Sequence, residues 1–426
     1  MSDTIPGSDQ VLDAGEVCPD LANRRVNFFS GRLLSANDMG QEQSAVSQRD
    51  RRLGTAIGSG VVRGLEVHAV VGADNLLQIE AGLAINGCGE PLALDTPLRL
   101  RLAPNVEQSG AGGFAPCGSE AGFVMDQGDG YYLISLAPSI GLSSEKAQEI
   151  GRNGQLIACG ARWRLEGLTL QVDKIPASAL PAALRSTPPA GAANAAALSR
   201  ARSLLAKLCL GEVMGTTPLG QPAANLLQTA RLAPPDNVAL AVVAWSNNGL
   251  RFVDRWSVRR SPSPDTDTPG AAPYWPPSAA RAMQAEAMQR QFQEHLDELL
   301  QTLKSTGTDT VSLVAGEWFV WLPAVGILPR ATTASGGTGL SAKVFFSTLP
   351  VRSLFLAHAA LESILRDGMA YPPIDLTAKS PQLIWLYQLV EDRNVLVYAS
   401  GHLPPANPAR LDLARYDAAL YPDGEQ

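Results

Sequence analysis

The chain has 426 residues, of which 45% are hydrophobic and 18% are charged. This length is enough for two or three domains with real cores, and the composition excludes a mini-protein and a disordered, highly charged chain. The formal net charge is −7, from 34 Lys and Arg against 41 Asp and Glu. No overall positive field therefore exists to attract nucleic acid, which is not expected as a partner.

Residues 1–25 are polar and are interrupted by Gly, Pro and Asp, which predicts a flexible N-terminal arm. They lack the basic and apolar regions of a secretory signal, so we expect synthesis to end in the cytoplasm. No apolar run reaches the roughly 18 residues of a membrane-spanning helix, and none is expected. The five cysteines are far apart and form no C-x-x-C pair, which favours reduced thiols over disulfides or structural zinc.

Residues 26–105 are predicted to form a β-rich domain with one surface helix. Ser35 to Asp38 offer N-cap residues before a polar stretch, Met39 to Leu53, that favours a helix. Its apolar side is thin, so contacts with other elements or another subunit must hold it, and it is a candidate contact element. Four short strands should follow, at residues 58–67, 76–79, 82–87 and 97–102.

Residues 120–260 are predicted to form a second β-rich domain. Strands are expected at residues 130–136, 161–172 and 238–245. An insert rich in Ala and Pro occupies residues 176–198 and should run into a helix over Ser199 to Leu210.

Residues 261–277 contain a run of Ser, Pro, Asp and Gly that predicts a linker, and residues 278–426 should form an α+β domain. Its first element is a long amphipathic helix that carries Met288 to Leu303 and ends near Gly307. Further elements are expected as a strand at 343–349, a helix at 353–366, and strands at 383–390 and 394–400. The predicted fold class is α+β and β-rich, with antiparallel β-units in the N-terminal and middle regions.

The sequence contains no recognisable set of catalytic residues. The four histidines stand apart from one another, and no H-E-x-x-H, G-x-S-x-G or C-x-x-C motif occurs. The Gly-rich run from Ser335 to Lys343 lacks the spacing of a phosphate-binding loop. No catalytic, cofactor-binding or metal-binding residue is therefore assigned, and no cofactor is expected.

Several segments resemble a family encoded with contractile injection systems and phage tail-like particles. The resemblance begins with Phe28-Phe-Ser-Gly-Arg-Leu-Leu34, continues through a polar helix, and includes Gly60-Val-Val-Arg-Gly-Leu-Glu-Val67. Later matching segments are Gly82 to Glu90, Val238 to Trp245, Phe252 to Arg260, Phe319 to Pro329 and Pro372 to Leu376. The matching residues are mostly apolar, Gly or Pro, and such residue types build folds rather than perform chemistry.

The resemblance implies a non-enzymatic structural or assembly component of such a particle, in its baseplate or an associated layer. Baseplate, tube or sheath proteins would be its partners, and it would be a homo-oligomer within a symmetric assembly. It would be made in the cytoplasm, join the particle, and leave the cell when the particle is released. The candidate interface residues are Phe28, Phe29, Leu33, Leu34, Glu42, Gln43, Arg51, Arg259 and Arg260.

Two other functions remain open at the level of sequence. A receptor- or carbohydrate-binding adsorption module would need aromatic side chains that form a platform facing solvent. A hydrolase would need two carboxylates about 5–9 Å apart in a cleft, brought together by folding.

Overall fold

The computed structural model describes residues 26–103, 121–124, 128–150, 156–211, 225–263, 279–331 and 339–406. The predicted N-terminal arm, most of the predicted linker, and residues 335–338 of the Gly-rich run lie outside the described residues.

The predicted surface helix is confirmed as α1, Ala36–Ile57. It starts at a capping box, in which the Ser35 side chain accepts from the Asp38 backbone and the Asp38 side chain accepts from the Ser35 backbone. It ends at Gly58, whose φ of +98° lies in a region that favours glycine.

The N-terminal strands form two small sheets. The strands are β1 Gly60–Gly64, β2 Val67–Ala69, β3 Leu76–Ile79, β4 Gly82–Ile85, β5 Pro91–Leu94, β6 Leu98–Ala103 and β7 Ala121–Val124. One sheet has the order β1-β4-β5 and the other β2-β3-β6-β7. Pairing is antiparallel except between β6 and β7. The continuous strand predicted at 58–67 is divided at Leu65, whose φ of +58° breaks the extended backbone.

The middle region is built on the antiparallel sheet β11-β8-β12-β13. Its strands are β8 Gly130–Leu142, β9 Lys146–Ile150, β10 Leu156–Ala161, β11 Arg164–Lys174, β12 Val238–Ser246 and β13 Gly249–Asp254. Asn247 and Asn248 form the turn between β12 and β13 with φ of +48° and +54°. Both values suit a tight hairpin turn with left-handed residues.

Successive side chains of β8 and β12 point to opposite faces of the sheet, and both faces are buried. Ile134, Leu136 and Trp245 pack against the N-terminal strands, so those strands and the middle sheet share one core. Tyr131 and Leu133 face the opposite way, toward helices. These helices are α2 Ala182–Arg185, α3 Ala195–Leu210 and α4 Leu226–Ala230.

A two-stranded ribbon extends this sheet beyond its four-stranded part. Pairing of β12 with β8 stops at Leu136, whereas β8 pairs with β11 as far as Leu142. The hairpin of β9 and β10 continues the ribbon. Residues 139–150 and 156–167 are called the β-arm below.

The C-terminal region has the sheet order β15-β19-β18-β16, in which β16 and β18 are parallel. Its elements are α5 Ala279–Ser305, α6 Ala315–Trp318, β14 Trp321–Leu322, β15 Val325–Pro329, α7 Ala342–Phe345, β16 Val351–Leu356, α8 Leu361–Gly368, β17 Ile374–Asp375, β18 Ile384–Leu389 and β19 Val395–Ser400.

Two sequence-based assignments in this region are wrong. The strand predicted at 343–349 begins in helix α7, where Phe345 and the next residue, Phe346, are both buried. The helix predicted at 353–366 begins as strand β16, where Leu354 and Leu356 are buried at period two and the chain pairs with β18. Helix α8 follows only at Leu361.

The middle and C-terminal regions pack on each other through helices α3 and α5. Ala206 and Leu210 of α3 share a buried cluster with Met288 of α5, Val320 and Trp321. The architecture is a mixed α+β fold with several small, largely antiparallel sheets, as predicted.

Candidate interaction surface

A cluster of exposed apolar side chains lies at the N-terminal end of the described chain. Of the 15 large hydrophobic residues that are exposed among the described residues, eight fall between positions 28 and 57. Such a concentration in one segment makes it a candidate interaction site, whereas exposed apolar residues that are scattered singly need no explanation. We call this set the N-terminal surface: Phe28, Phe29, Leu33, Leu34, Met39, Val46, Leu53 and Ile57, exposed by 42–93%.

Polar contacts hold the segment before α1 in place. Arg32 donates from Nη1 to the carbonyl oxygen of Asn27 at 2.7 Å and from Nη2 to Oδ1 of Asp38 at 2.9 Å. The backbone N–H of Val26 donates to Oε2 of Glu42 at 3.3 Å. The shape of the segment is therefore set by hydrogen bonds, and its aromatic and aliphatic side chains are left facing solvent.

Asp38 links this segment to the start of α1. Its carboxylate accepts from the Ser35 hydroxyl at 2.7 Å and from the Ser35 backbone N–H at 2.9 Å. These hydrogen bonds, with the charge of Arg32, lower the pKa of Asp38 below its ordinary value. The group therefore stays ionised at neutral pH, where its charge also suits the positive end of the helix dipole.

Helix α1 docks on the body of the protein through its C-terminal third. Gly54 is its buried residue, and a Cβ there would overlap the backbone of Gly89. A Cβ at Gly89, whose φ is +79°, would overlap the backbone of Arg51. Two glycines thus allow a close approach that no other residue permits.

The turn that receives α1 is held by Asn86 and Glu90. Oδ1 of Asn86 accepts from the backbone N–H groups of Cys88 and Glu90 at 3.0 and 2.8 Å. Its Nδ2 donates to Oε2 of Glu90 at 3.1 Å and to the carbonyl oxygen of Asp236 at 3.0 Å. Glu90 also forms an ion pair with Arg51 of α1. One carboxylate therefore connects the helix to its platform.

The exposed apolar residues of α1 form a stripe on a face that does not dock. At 100° per residue, Met39, Val46, Leu53 and Ile57 fall within about 40° of one another around the helix. Gly54 lies about 75° from the centre of the stripe. The stripe therefore remains open while α1 is attached to the body.

Seven of the nine candidate interface residues lie on or beside this surface. Phe28, Phe29, Leu33 and Leu34 are exposed, Gln43 is exposed, and Glu42 is half-buried against Val26. Arg51 is exposed too, but its guanidinium group is used in docking α1.

The structure places Arg259 and Arg260 elsewhere. Arg259 is 6% exposed, donates to the carbonyl oxygen of Gly64 at 2.6 Å and lies over the ring of Trp256. Arg260 donates to the carbonyl oxygens of Trp256 and Ser257, each at 3.0 Å. Burial lowers the pKa of Arg260 to about 10. Arg259 is buried between two segments of the chain, and the guanidinium group of Arg260 is used in hydrogen bonds to its own turn, so neither side chain lies on the N-terminal surface.

A second apolar surface, which was not predicted from the sequence, lies on the β-arm. Ile140, Leu142, Trp163 and Leu165 are exposed by 40–73%. By the register, Ile140 and Leu142 lie on one face of the ribbon, and Trp163 and Leu165 lie on the other. The sequence carried one sign of this surface. Trp163 stands between two arginines at the end of a strand, where a buried side chain is not expected.

A buried Ser–His pair was also missed, because its members are 96 residues apart. Ser199 Oγ lies 2.9 Å from His295 Nε2, and it donates to the carbonyl oxygen of Trp318 at 2.9 Å. Since the hydroxyl has one proton, this network makes His295 the donor to Ser199. A nucleophilic serine requires the opposite direction. Both residues are at most 5% exposed, so the pair links α3 to α5 and α6.

Three observations on the described residues concern the enzyme and carbohydrate-binding alternatives. No group of three or more His, Cys, Asp or Glu able to hold a metal occurs among them. A groove of about 870 Å³ beside α8 is lined by one carboxyl group, Asp367, where a hydrolase would need two. Among the tryptophans in these ranges only Trp163 is exposed, and Arg162 lies over its ring.

In the part of the chain that the structure covers, none of the helices combines the length and apolar content needed to cross a bilayer.

The comparisons with known proteins give only distant structural similarity. No family model and no curated protein matches the sequence. A solved structure described as "Crystal structure of TssK" is similar with a TM-score of 0.21 and 13% identity. The similarity covers 38% of this chain and 36% of that chain. A TM-score this low carries no argument about fold or partners.

Proposed function

We propose that this protein is a non-enzymatic structural subunit of a contractile, phage tail-like particle, in the baseplate or an associated layer. It assembles through the N-terminal surface. The observation that carries this proposal is the exposure of Phe28, Phe29, Leu33 and Leu34 on a segment held by polar contacts. The resemblance of these residues to the opening motif of the particle-associated family supplies the class of assembly.

Exposure of apolar side chains to water raises the free energy of the unassembled protein. Each large side chain that a neighbour covers gains about 1.5–3 kcal/mol when it is fully buried. Because the segment is already ordered by Arg32 and Asp38, less conformational entropy is lost when a partner binds. A prearranged apolar surface of this kind is suited to association and supplies no group for catalysis.

The test is co-sedimentation of the protein with particles from a native lysate, followed by mass spectrometry of the heavy fraction. We expect the wild-type chain with sheath and tube proteins, and we expect the Phe28→Ser/Leu33→Ser variant to remain in the light fraction. Val71→Ser/Val390→Ser is the matched control, because it removes two exposed apolar residues at other sites. A wild-type chain that stays free, or a Phe28→Ser/Leu33→Ser variant that assembles normally, would overturn the proposal.

A further inference from the structure

Charge is distributed unequally along helix α1. Its first eleven residues, 36–46, contain two acidic residues and no basic ones, a net charge of −2. Its last eleven residues, 47–57, contain three arginines and one aspartate, a net charge of +2. The charged residues are Asp38, Glu42, Arg49, Asp50, Arg51 and Arg52. Within the chain, Asp38 is paired with Arg32 and Arg51 is paired with Glu90. The complementarity of α1 to an antiparallel copy of itself therefore rests on Glu42 in the acidic half and Arg49 in the basic half.

We propose that α1 binds α1 of a second copy of this chain, antiparallel, about a two-fold axis at Val46. This inference rests on the proposed function, since it names the partner of part of the N-terminal surface. A two-fold interface requires one patch that is complementary to itself. The apolar stripe, with Glu42 and Arg49 on one flank, meets that requirement.

The apolar stripe has the spacing that such an axis needs. Met39 and Leu53 lie seven residues before and after Val46, about 10.5 Å along the helix in each direction. Reversal about Val46 therefore brings Met39 of one copy opposite Leu53 of the other, and Val46 opposite its own copy. Leu34, just before α1, comes level with Ile57 of the second copy.

The charged residues beside the stripe also favour an antiparallel arrangement of the two helices. Glu42 and Arg49 lie on the same flank of the stripe, about 20° apart around the helix. In an antiparallel pair equivalent flanks face each other, so Glu42 of each copy lies beside Arg49 of the other. A parallel pair would instead bring the acidic halves together and the basic halves together.

The residues that dock α1 on the body of the protein lie outside the stripe. Gly54 and Arg51, which dock α1, lie about 75° and 135° from the centre of the stripe. One helix from each copy makes an interface at the small end of the specific range, so the isolated dimer should be weak. Many copies held in one assembly would strengthen it through their high local concentration.

The first experiment measures mass by sedimentation over a range of protein concentrations. We expect a concentration-dependent shift from the 45.0 kDa chain to twice that mass. Val46→Glu should abolish the shift, and the control Val71→Glu, at a fully exposed valine elsewhere, should not. Glutamate is a good helix former, so circular dichroism should show α1 intact in the Val46→Glu variant.

Charge reversal then tests the pairing itself. Arg49→Glu should raise the dissociation constant about tenfold, because it places two acidic pairs in the interface. The Glu42→Arg/Arg49→Glu variant should recover most of that loss, since the exchanged charges are again opposite.

Disulfide trapping distinguishes the two directions. Under mild oxidation, Val46→Cys should cross-link to itself, and Met39→Cys should cross-link to Leu53→Cys but not to itself, with the unmodified chain as the baseline. Three results would overturn the inference. One is a chain that remains monomeric up to about 100 µM, well above a micromolar dissociation constant. The others are a dimer that still forms in the Val46→Glu variant and a cross-link of Met39→Cys to itself. A monomer that still co-sediments with particles would leave the proposed function standing.

Discussion

Replacing Arg202 should destabilise the contact between the middle and C-terminal regions. Arg202 of α3 donates from Nε to Oδ2 of Asp254 at 2.9 Å and pairs through Nη1 with Glu298 of α5. The side chains of Arg202 and Asp254 are 5% and 3% exposed. Burial would lower the pKa of Arg202, but the two carboxylates raise it above its ordinary value. The guanidinium group is therefore charged and holds two regions of the chain together.

The expected cost of Arg202→Met follows from what remains around Asp254. Removing one partner of a buried ion pair costs about 3–5 kcal/mol, because the other charge is left unpaired. Asp254 keeps hydrogen bonds from Gln291 Nε2 at 2.7 Å and from the Ser257 backbone N–H at 3.0 Å. Glu298 is 48% exposed and can be solvated. We therefore expect the lower end of the range, about 3 kcal/mol.

The assay is urea unfolding followed by tryptophan fluorescence, with Arg366→Met as the matched control. Arg366 and Glu362 form an exposed ion pair, with side chains 72% and 83% exposed, so its loss should cost at most about 1 kcal/mol. The Arg202→Met/Asp254→Asn variant should lose less stability than the sum of the two single variants, because no buried charge is left unpaired. Equal losses of unfolding free energy in Arg202→Met and Arg366→Met would contradict this expectation.

Two further predictions concern α1 and His295. Gly54→Ala should detach the C-terminal end of α1, because the added Cβ would overlap the Gly89 backbone, and amide exchange in residues 36–57 should become faster. The control is Gly40→Ala, at a position on the same helix with open space around it. This substitution should slow the exchange and stabilise α1 by up to about 1 kcal/mol. Equal effects of the two would contradict the proposed docking. Burial and the charge of Arg202 hold the pKa of His295 well below its ordinary value. Below about pH 6.5 the unfolded chain therefore binds a proton at His295 that the folded chain does not bind. As the pH is lowered through this range, the free energy of unfolding should decrease by up to about 1.4 kcal/mol per pH unit. Melting temperatures between pH 5 and 7.5 should depend less on pH in His295→Gln than in the wild type, and an unchanged slope would show that His295 does not contribute.

Most elements whose spacing is regular could be predicted from the sequence. The polar run after Ser35 has a cap and contains no Gly or Pro between Gly40 and Leu53, which is enough to predict α1. The apolar run of β12 is bounded by turn residues, and the leucine spacing of α3 and α5 repeats every turn. These are local properties, because propensity and periodicity depend on residues close together in the chain.

The wrong assignments occur where tertiary contacts decide the local structure. Val351 to Leu356 contain apolar residues that suit either a helix or a strand, and parallel pairing with β18, more than 30 residues away, makes them a strand. The turn that receives α1 depends on Gly54 and Gly89, which are 35 residues apart. Neither contact leaves a local pattern in the sequence.

Part of the N-terminal surface could likewise be predicted from the sequence, and part depended on tertiary contacts. The motif beginning at Phe28 could be selected from the sequence as a candidate interface, and the structure shows that its apolar side chains are exposed to solvent. The sequence alone could not separate Arg51, which docks α1 through Glu90, from Arg259, which is buried against Gly64. Both are arginines in short basic clusters. Only the folded chain decides which charges meet partners inside it and which faces stay open, because burial is a property of contacts between residues distant in sequence.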